Sequence, residues 1–470
     1  MLYQVFLVIL PLITTPYVSR VLGSEGVGTF SFTLSITTYF VLAGTLGVSM
    51  YGRREIAFYQ NNKEERSKAF WQINIIKWIA MSISMLVFYF TCIHNTNYGQ
   101  YFFIFTLELL AEMFNISWYF QGMEQFKTLT IRNFIVKTLG IAAIFLFVKN
   151  PSDLWIYTLI YTISSLVSVG SLWVILPKTL AKVKPDFKSA KKHIWPIFLL
   201  FLPQATIEVY TVLDKTMLGF LVKDMSQVGI YEQSQKVEKI SLHVITALGP
   251  VMGARVANLF AEGKKNEIHD SLKKAFHFVW VLAVPIMFGI AAIAPNMVPW
   301  FFGDEFLPAI PIMQIGSILV LAIALSNVSG QQYLVPTKHQ NIYTLSVVLG
   351  AVTNFIGNLF MIPLYGATGA ITTSVIAEIV VTMTQLIYIR KDFKIHEVFS
   401  AAKATIPAGI AMLFSVLLLG NILPKTAVGT FTQIIAGGAL YIIIMTALHD
   451  EFIMNGWKSL GKIKNKILKK

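Results

Sequence analysis

Long continuous apolar stretches alternate along this chain with short polar breaks. A transmembrane helix takes about 20 predominantly apolar residues. On that measure the pattern predicts spans near 2–22, 27–50, 70–92, 101–121, 129–148 and 154–177. A second set follows near 195–221, 228–253, 276–300, 309–335, 342–364 and 367–389, and a last pair near 404–423 and 427–448. The chain therefore reads as an all-α integral membrane protein of about fourteen transmembrane helices. Pro11, Pro203, Pro250, Pro285 and Pro407 fall within these spans, where neighbouring helices and hydroxyl side chains can satisfy the freed carbonyls.

The breaks carry the charge unevenly. Every second connection is basic: Arg53, Arg54, Lys63, Arg66 and Lys68 follow the second span, and Lys178, Lys182, Lys184, Lys188, Lys191 and Lys192 the sixth. Arg255, Lys264, Lys265, Lys273 and Lys274 follow the eighth, Arg390, Lys391, Lys394 and Lys403 the twelfth, and the tail holds Lys458, Lys462, Lys464, Lys466, Lys469 and Lys470. The intervening loops are nearly bare, and FGDEF (302–306) is acidic. The positive-inside rule then puts the basic side, with both chain ends, in the cytoplasm.

Composition agrees. The 470 residues are 55% hydrophobic and 13% charged, with a mean hydropathy of +0.64, whereas a soluble domain carries roughly 25% charged residues. The net charge of +14 is accounted for by topology and anionic headgroups, so no nucleic-acid partner is expected. The single cysteine, Cys92, lies inside an apolar run and excludes an intrachain disulfide framework. The first apolar segment lacks a basic n-region and is too long for a signal-peptide core, so it reads as the first span. Because the chain begins almost inside that span, a short leader is expected to precede it.

An internal repeat organises the spans. ILPLITTPYV (9–18) is echoed by FLPQATIEVY (201–210), Val27-Gly28 by Val228-Gly229, and Leu46-Gly47, Met50 and Arg53 by Leu248-Gly249, Met252 and Arg255. With six spans per copy in one orientation, this predicts two parallel six-helix lobes, 1–177 and 195–390, joined by a cytoplasmic linker at 178–194. Residues 391–470 add two helices and a basic tail. The layout suits a transporter.

No Walker loop, metal-spaced cluster or nucleophile elbow is present, and the external loops are short, so neither an enzyme nor a cofactor is expected. Charges inside spans are costly and usually face a cavity or a partner. Glu108 and Glu112 share one face and make a candidate ion-coupling pair with Glu378, while Lys77 and Lys137 can equally neutralise them. Glu208 sits near mid-membrane. Glu232 and Lys236, one turn apart, fit a structural ion pair as well as a site. Arg53 and Arg255 hold equivalent positions in the two copies, which would place them at the cytoplasmic mouth of a central cavity, their forks suited to phosphate oxygens. An ordinary positive-inside anchor is the competing reading. Arg20, Lys137 and Lys239 are further cationic candidates. Asn354, with Asn358 one turn on, and Gln332, beside Gln331, offer amides that bind sugar hydroxyls or bridge helices.

NISWYFQGMEQFK (115–127), LDKTMLG (213–219) and the opening LPLITTPYVSRVLGSEGVGTFSF (10–32) resemble segments of polysaccharide flippases of the Wzx type, and the resemblance covers essentially the whole chain. It implies a MATE-like fold, two six-helix lobes around a central cavity opening alternately to either side, plus two C-terminal helices. It also implies export of an undecaprenyl-diphosphate-linked repeat unit from the inner to the outer leaflet of a bacterial plasma membrane, for capsule or surface polysaccharide. Membrane lipids and polysaccharide polymerase machinery are the partners it suggests. A drug/cation antiporter of the same fold, or a membrane-bound glycan polymerase or ligase, are the alternatives.

Overall fold

A computed structural model describes residues 2–94, 96–183, 187–247 and 249–458. Lys184, Leu248 and the tail lysines from Lys462 onward, named above, lie outside the described residues. The described chain divides into two compact units, Met1–Gly229 and Ile230–Lys470.

The first unit runs α1 (Leu2–Thr45), α2 (Val48–Phe58), α3 (Lys63–Phe88), α4 (Gly99–Phe114), α5 (Ser117–Gly122), α6 (Phe126–Phe147), α7 (Leu154–Ile175) and α8 (Phe187–Leu221), with α9 (Met225–Thr246) crossing into the second. The second continues with α10 (Gly249–Ala261), α11 (Lys265–Phe301), α12 (Ala309–Ser326), α13 (Gln340–Ile389), α14 (Ile395–Val398), α15 (Ala402–Ile422) and α16 (Ala427–Ala447).

Among the described residues, ten segments are long and apolar enough to cross a membrane. Two of them fold back on a glycine: Gly23 (φ 69°) divides α1 and Gly366 (φ 56°) divides α13, a backbone region that side chains other than glycine rarely adopt. Each therefore holds two of the spans predicted from hydropathy. With α4 at 16 residues and α8 at 35, the described helices match the fourteen predicted spans.

Several predicted spans are broken inside. The second ends at Leu46 (φ 48°) and Gly47 (φ 72°), where the chain turns into α2. The fourth breaks at Asn115, whose ψ of 110° is extended. The tenth passes from α12 into a π-helical stretch, Asn327–Leu334. The eighth stops at Thr246, so Pro250 is not inside a span but in the first turn of α10, where its missing N–H is an orphan anyway.

Burial is aromatic in the first unit: Phe70 meets Trp118 and Tyr119 with ring centroids 5.7 and 5.2 Å apart. Arg66, a basic-loop residue, is buried there, and its guanidinium donates to the carbonyls of Gln60 and Thr179. In the second unit the two C-terminal helices pack on α11. Trp300 Nε1 donates to Thr430 Oγ1 (2.8 Å), Asn296 Nδ2 to the Gly420 carbonyl (3.0 Å) and Tyr441 Oη to the Val281 carbonyl (3.1 Å). Those helices are thus tied to α11 by side-chain hydrogen bonds along their length.

Candidate functional site

The break at Asn115 organises the first unit. Three successive carbonyls at the end of α4 each receive a side-chain donor: Trp78 Nε1 on Met113 O (3.1 Å), Trp173 Nε1 on Phe114 O (2.8 Å) and Lys77 Nζ on Asn115 O (2.5 Å). A helix C-terminus favours a cation, so the buried ammonium of Lys77, 2% exposed, has a physical partner there. The Asn115 side chain faces both ways. Its Nδ2 donates to both oxygens of Glu112 (3.1 Å each), and its Oδ1 accepts from the Ser117 amide (3.0 Å), capping α5. Glu108, one turn before Glu112, has a side-chain hydrogen bond with Ser165, and its Oε2 is buried without a hydrogen-bond partner among the described residues.

The short α5 is in turn the seat of α2. A β-carbon on Gly52 would stand 2.4 Å from Trp118 Cε3, and one on Gly122 would stand 2.7 Å from the Arg53 carbonyl and 2.8 Å from Ile56 Cβ. The two helices touch backbone to side chain, which only glycines allow. Val48, Tyr51, Gly52 and Ile56 are the buried face of α2, and Arg53 and Arg54 point away from it, exposed. Tyr51 Oη meets His193 Nδ1 at 2.6 Å, and His193 Nε2 meets Gln72 Oε1 at 2.9 Å, tying α2 to α8 and α3. His193 lies before the predicted seventh span; burial pushes its imidazole down to about 4, with Lys192 adding to the effect.

The second unit also carries an arginine on a short helix, over a different seat. There α10 packs on the π-helical stretch after α12, with Gly249, Val256 and Leu259 buried and Arg255 exposed. A β-carbon on Gly249 would stand 3.0 Å from Asn327 Oδ1, and the same oxygen accepts from Gln332 Nε2 at 3.1 Å. Asn327-Val328-Ser329 shares the Asn-x-Ser pattern of Asn115-Ile116-Ser117. In the first unit the triplet is an extended break between α4 and α5, and in the second it opens a continuous π-helix. Among the described residues, neither Arg53 nor Arg255 has a hydrogen-bond or ion-pair partner.

Other candidates are placed separately. Arg20, Lys137 and Lys239 are exposed, and Glu208 and Glu378 are half-buried. Gln332 is buried and lines a cavity of about 180 Å³ with Lys274, Met252 and Asn327. Asn354 and Asn358 are fully buried: Asn358 Nδ2 donates to Asn354 Oδ1 (3.1 Å), and Asn354 Nδ2 to Ser374 Oγ (3.3 Å). They bridge the two arms of α13. Glu232 and Lys236 lie 4.0 Å apart, at the limit of an ion pair. No group of three or more His, Cys, Asp or Glu suited to a metal occurs among the described residues.

A family model described as polysaccharide biosynthesis protein matches residues 1–253. The chain is 21% identical over 389 residues to the "Putative O-antigen transporter" of Escherichia coli, covering 82% of this chain and 93% of that one. It is 21% identical over 336 residues to a "Probable low-salt glycan biosynthesis flippase" of Haloferax volcanii, covering 70% and 69%. Among solved structures, it is similar to the lipid II flippase MurJ in an inward closed conformation (TM-score 0.68, 15% identity, covering 94% of this chain and 99% of that one). It is also similar to an inward-facing multidrug resistance MATE family transporter of the MOP superfamily (TM-score 0.61, 11% identity, covering 83% and 95%). At these identities the structural likenesses establish a shared fold.

Proposed function

The chain belongs to the polysaccharide biosynthesis protein family, and from that premise we propose that it flips undecaprenyl-diphosphate-linked oligosaccharide repeat units from the inner to the outer leaflet of a bacterial plasma membrane. The protein is a multi-pass membrane transporter rather than an enzyme, and its named relatives are transporters and flippases. The observation that carries the finer reading is the pair of arginines, Arg53 and Arg255, exposed and without a hydrogen-bond or ion-pair partner among the described residues, each on a short helix, α2 seated on α5 and α10 on the π-helical stretch Asn327–Leu334.

A diphosphate presents oxygens in the geometry an arginine fork grips bidentately. The planar fork loses less side-chain freedom per hydrogen bond formed than a lysine's flexible ammonium would. Arg20, Lys137 and Lys239 extend the cationic set, and Glu208 and Gln332 supply polar groups for the glycan, while Asn354 is taken up in the bridge within α13. Glu108, Glu112 and Glu378 are the ion-coupling carboxyls. Transport proceeds by alternating access of lobes 1–177 and 195–390 about the linker 178–194, with the basic connections and both termini cytoplasmic. Capsule or another surface polysaccharide is the destination, and polymerase machinery receives the delivered units.

The test is depletion of the protein from growing cells, with lipid-linked glycan assigned to a leaflet by its access to an external glycan-cleaving enzyme. Full-length repeat units trapped out of reach support the flippase. Normal outward delivery with altered drug sensitivity overturns it in favour of the extruder chemistry of the MATE fold.

A further inference from the structure

One carboxyl in the second unit is used by nothing described so far. Glu238, on α9, is 2% exposed, and its Oε1 is buried without a hydrogen-bond partner among the described residues. That oxygen rests against the α-carbon of Gly316 on α12. A β-carbon at 316 would stand 1.9 Å from Glu238 Oε1, 2.8 Å from its Cδ and 3.0 Å from Ile371 Cγ1. The carboxyl head therefore occupies a slot that exists because residue 316 has no side chain, walled by an isoleucine.

Among the described residues Glu238 has no ion pair, and the charge that acts on it is Lys239, its neighbour on α9. Helix α12 carries no titratable side chain, and on α13 Glu378 lies seven residues beyond Ile371. Along the cavity that α9 lines through Ser241, the α11 residues Pro285, Ile286, Gly289, Ile290 and Ile293 are uncharged. On α9 itself Lys239 is exposed while Glu238 is buried, since successive side chains on a helix diverge by about 100°. Glu232 and Lys236 face each other on the preceding turns. An ionised carboxylate with a bare oxygen at membrane depth costs several kcal/mol, and the neutral acid removes most of that cost.

We propose that Glu238 is a proton-binding site: it is lodged against Gly316 as the neutral acid, and loss of its proton accompanies withdrawal of the carboxyl from that slot. On withdrawal the O–H bond breaks and the proton passes to water; on return the carboxylate takes one from water. The link to transport rests on the flippase reading, whereas proton occupancy does not.

Infrared difference spectroscopy of the full-length protein in lipid, near neutral pH and in H₂O against D₂O, tests this. The protonated-carboxyl C=O band should lose one component in Glu238→Gln, and in Gly316→Ala, which fills the slot. Should Gly316→Ala fail to fold, the near-isosteric Glu238→Gln decides alone. An unchanged carboxyl region in Glu238→Gln overturns the proposal, whatever the transport assay gives. In cells, Glu238→Gln at normal abundance should lower outward delivery about tenfold, a typical size for coupling between sites. A lost band with unimpaired delivery overturns the link to transport and leaves the proton site standing.

Discussion

Gly122 lies against the backbone of Arg53, so close that a β-carbon on the glycine would stand 2.7 Å from the arginine's carbonyl oxygen. The contact joins the segment that resembles polysaccharide flippases to the side chain proposed to hold their substrate. The segment around Trp118 and Gly122 is thereby given a mechanical job: it seats the helix bearing Arg53.

Gly122→Ala should force α2 off its seat, because the obstructing atom is backbone and cannot rotate away. Overpacking of this kind costs about 1–3 kcal/mol. Export should fall and the thermal midpoint should drop. Gly170→Ala on α7 is the matched control, since a β-carbon there meets nothing within 4 Å, and it should be neutral or slightly stabilising. Thermal unfolding of both purified variants checks the contrast.

Asn115→Asp should be worse than Asn115→Ala. The alanine removes the donor to Glu112 and the cap on Ser117, a loss of about 1–3 kcal/mol for buried groups left unpaired. The aspartate keeps the cap but turns a carboxylate toward the two oxygens that Asn115 now satisfies. Abundance in membranes and thermal unfolding should rank the proteins as wild type, Ala, Asp.

The fold was largely legible because membrane-spanning runs announce themselves in hydropathy, and Gly23 and Gly366 fall where the runs were divided. The breaks at Gly47 and Asn115 and the switch to π-helix at Asn327 were not, because a local change of backbone conformation inside an apolar run leaves its hydropathy unchanged. The arginine pair was visible through the echo of Leu46-Gly47 in Leu248-Gly249. Its supports were not, because α2 sits on α5 and α10 on the π-helical stretch Asn327–Leu334, two different seats. Asn354 and Asn358 show the opposite difficulty. An amide that bridges helices and one that binds sugar are the same residue in a sequence, and burial alone separates them.

His193 gives a pH signature. Its folded value, about 4, lies below the ordinary value near 6.5, so the native state holds it neutral between the two. The unfolded chain binds more protons in that window, and stability should fall as pH drops from about 6.5 toward 4. His193→Gln should flatten that part of the curve, at some cost at neutral pH from weakening the contacts to Tyr51 and Gln72. Thermal midpoints across the window measure it.

The most direct test of the account is the leaflet distribution of lipid-linked glycan in cells carrying Arg53→Ala, Arg255→Ala, Arg53→Lys or Arg255→Lys at equal membrane abundance. A charge-assisted bond worth about 1.5–3 kcal/mol predicts a roughly 10- to 100-fold loss of outward delivery in each alanine variant. The lysines should recover only part of it, since a point charge lacks the bidentate fork. Full delivery in both alanine variants would contradict the account and reduce the pair to signals of membrane topology.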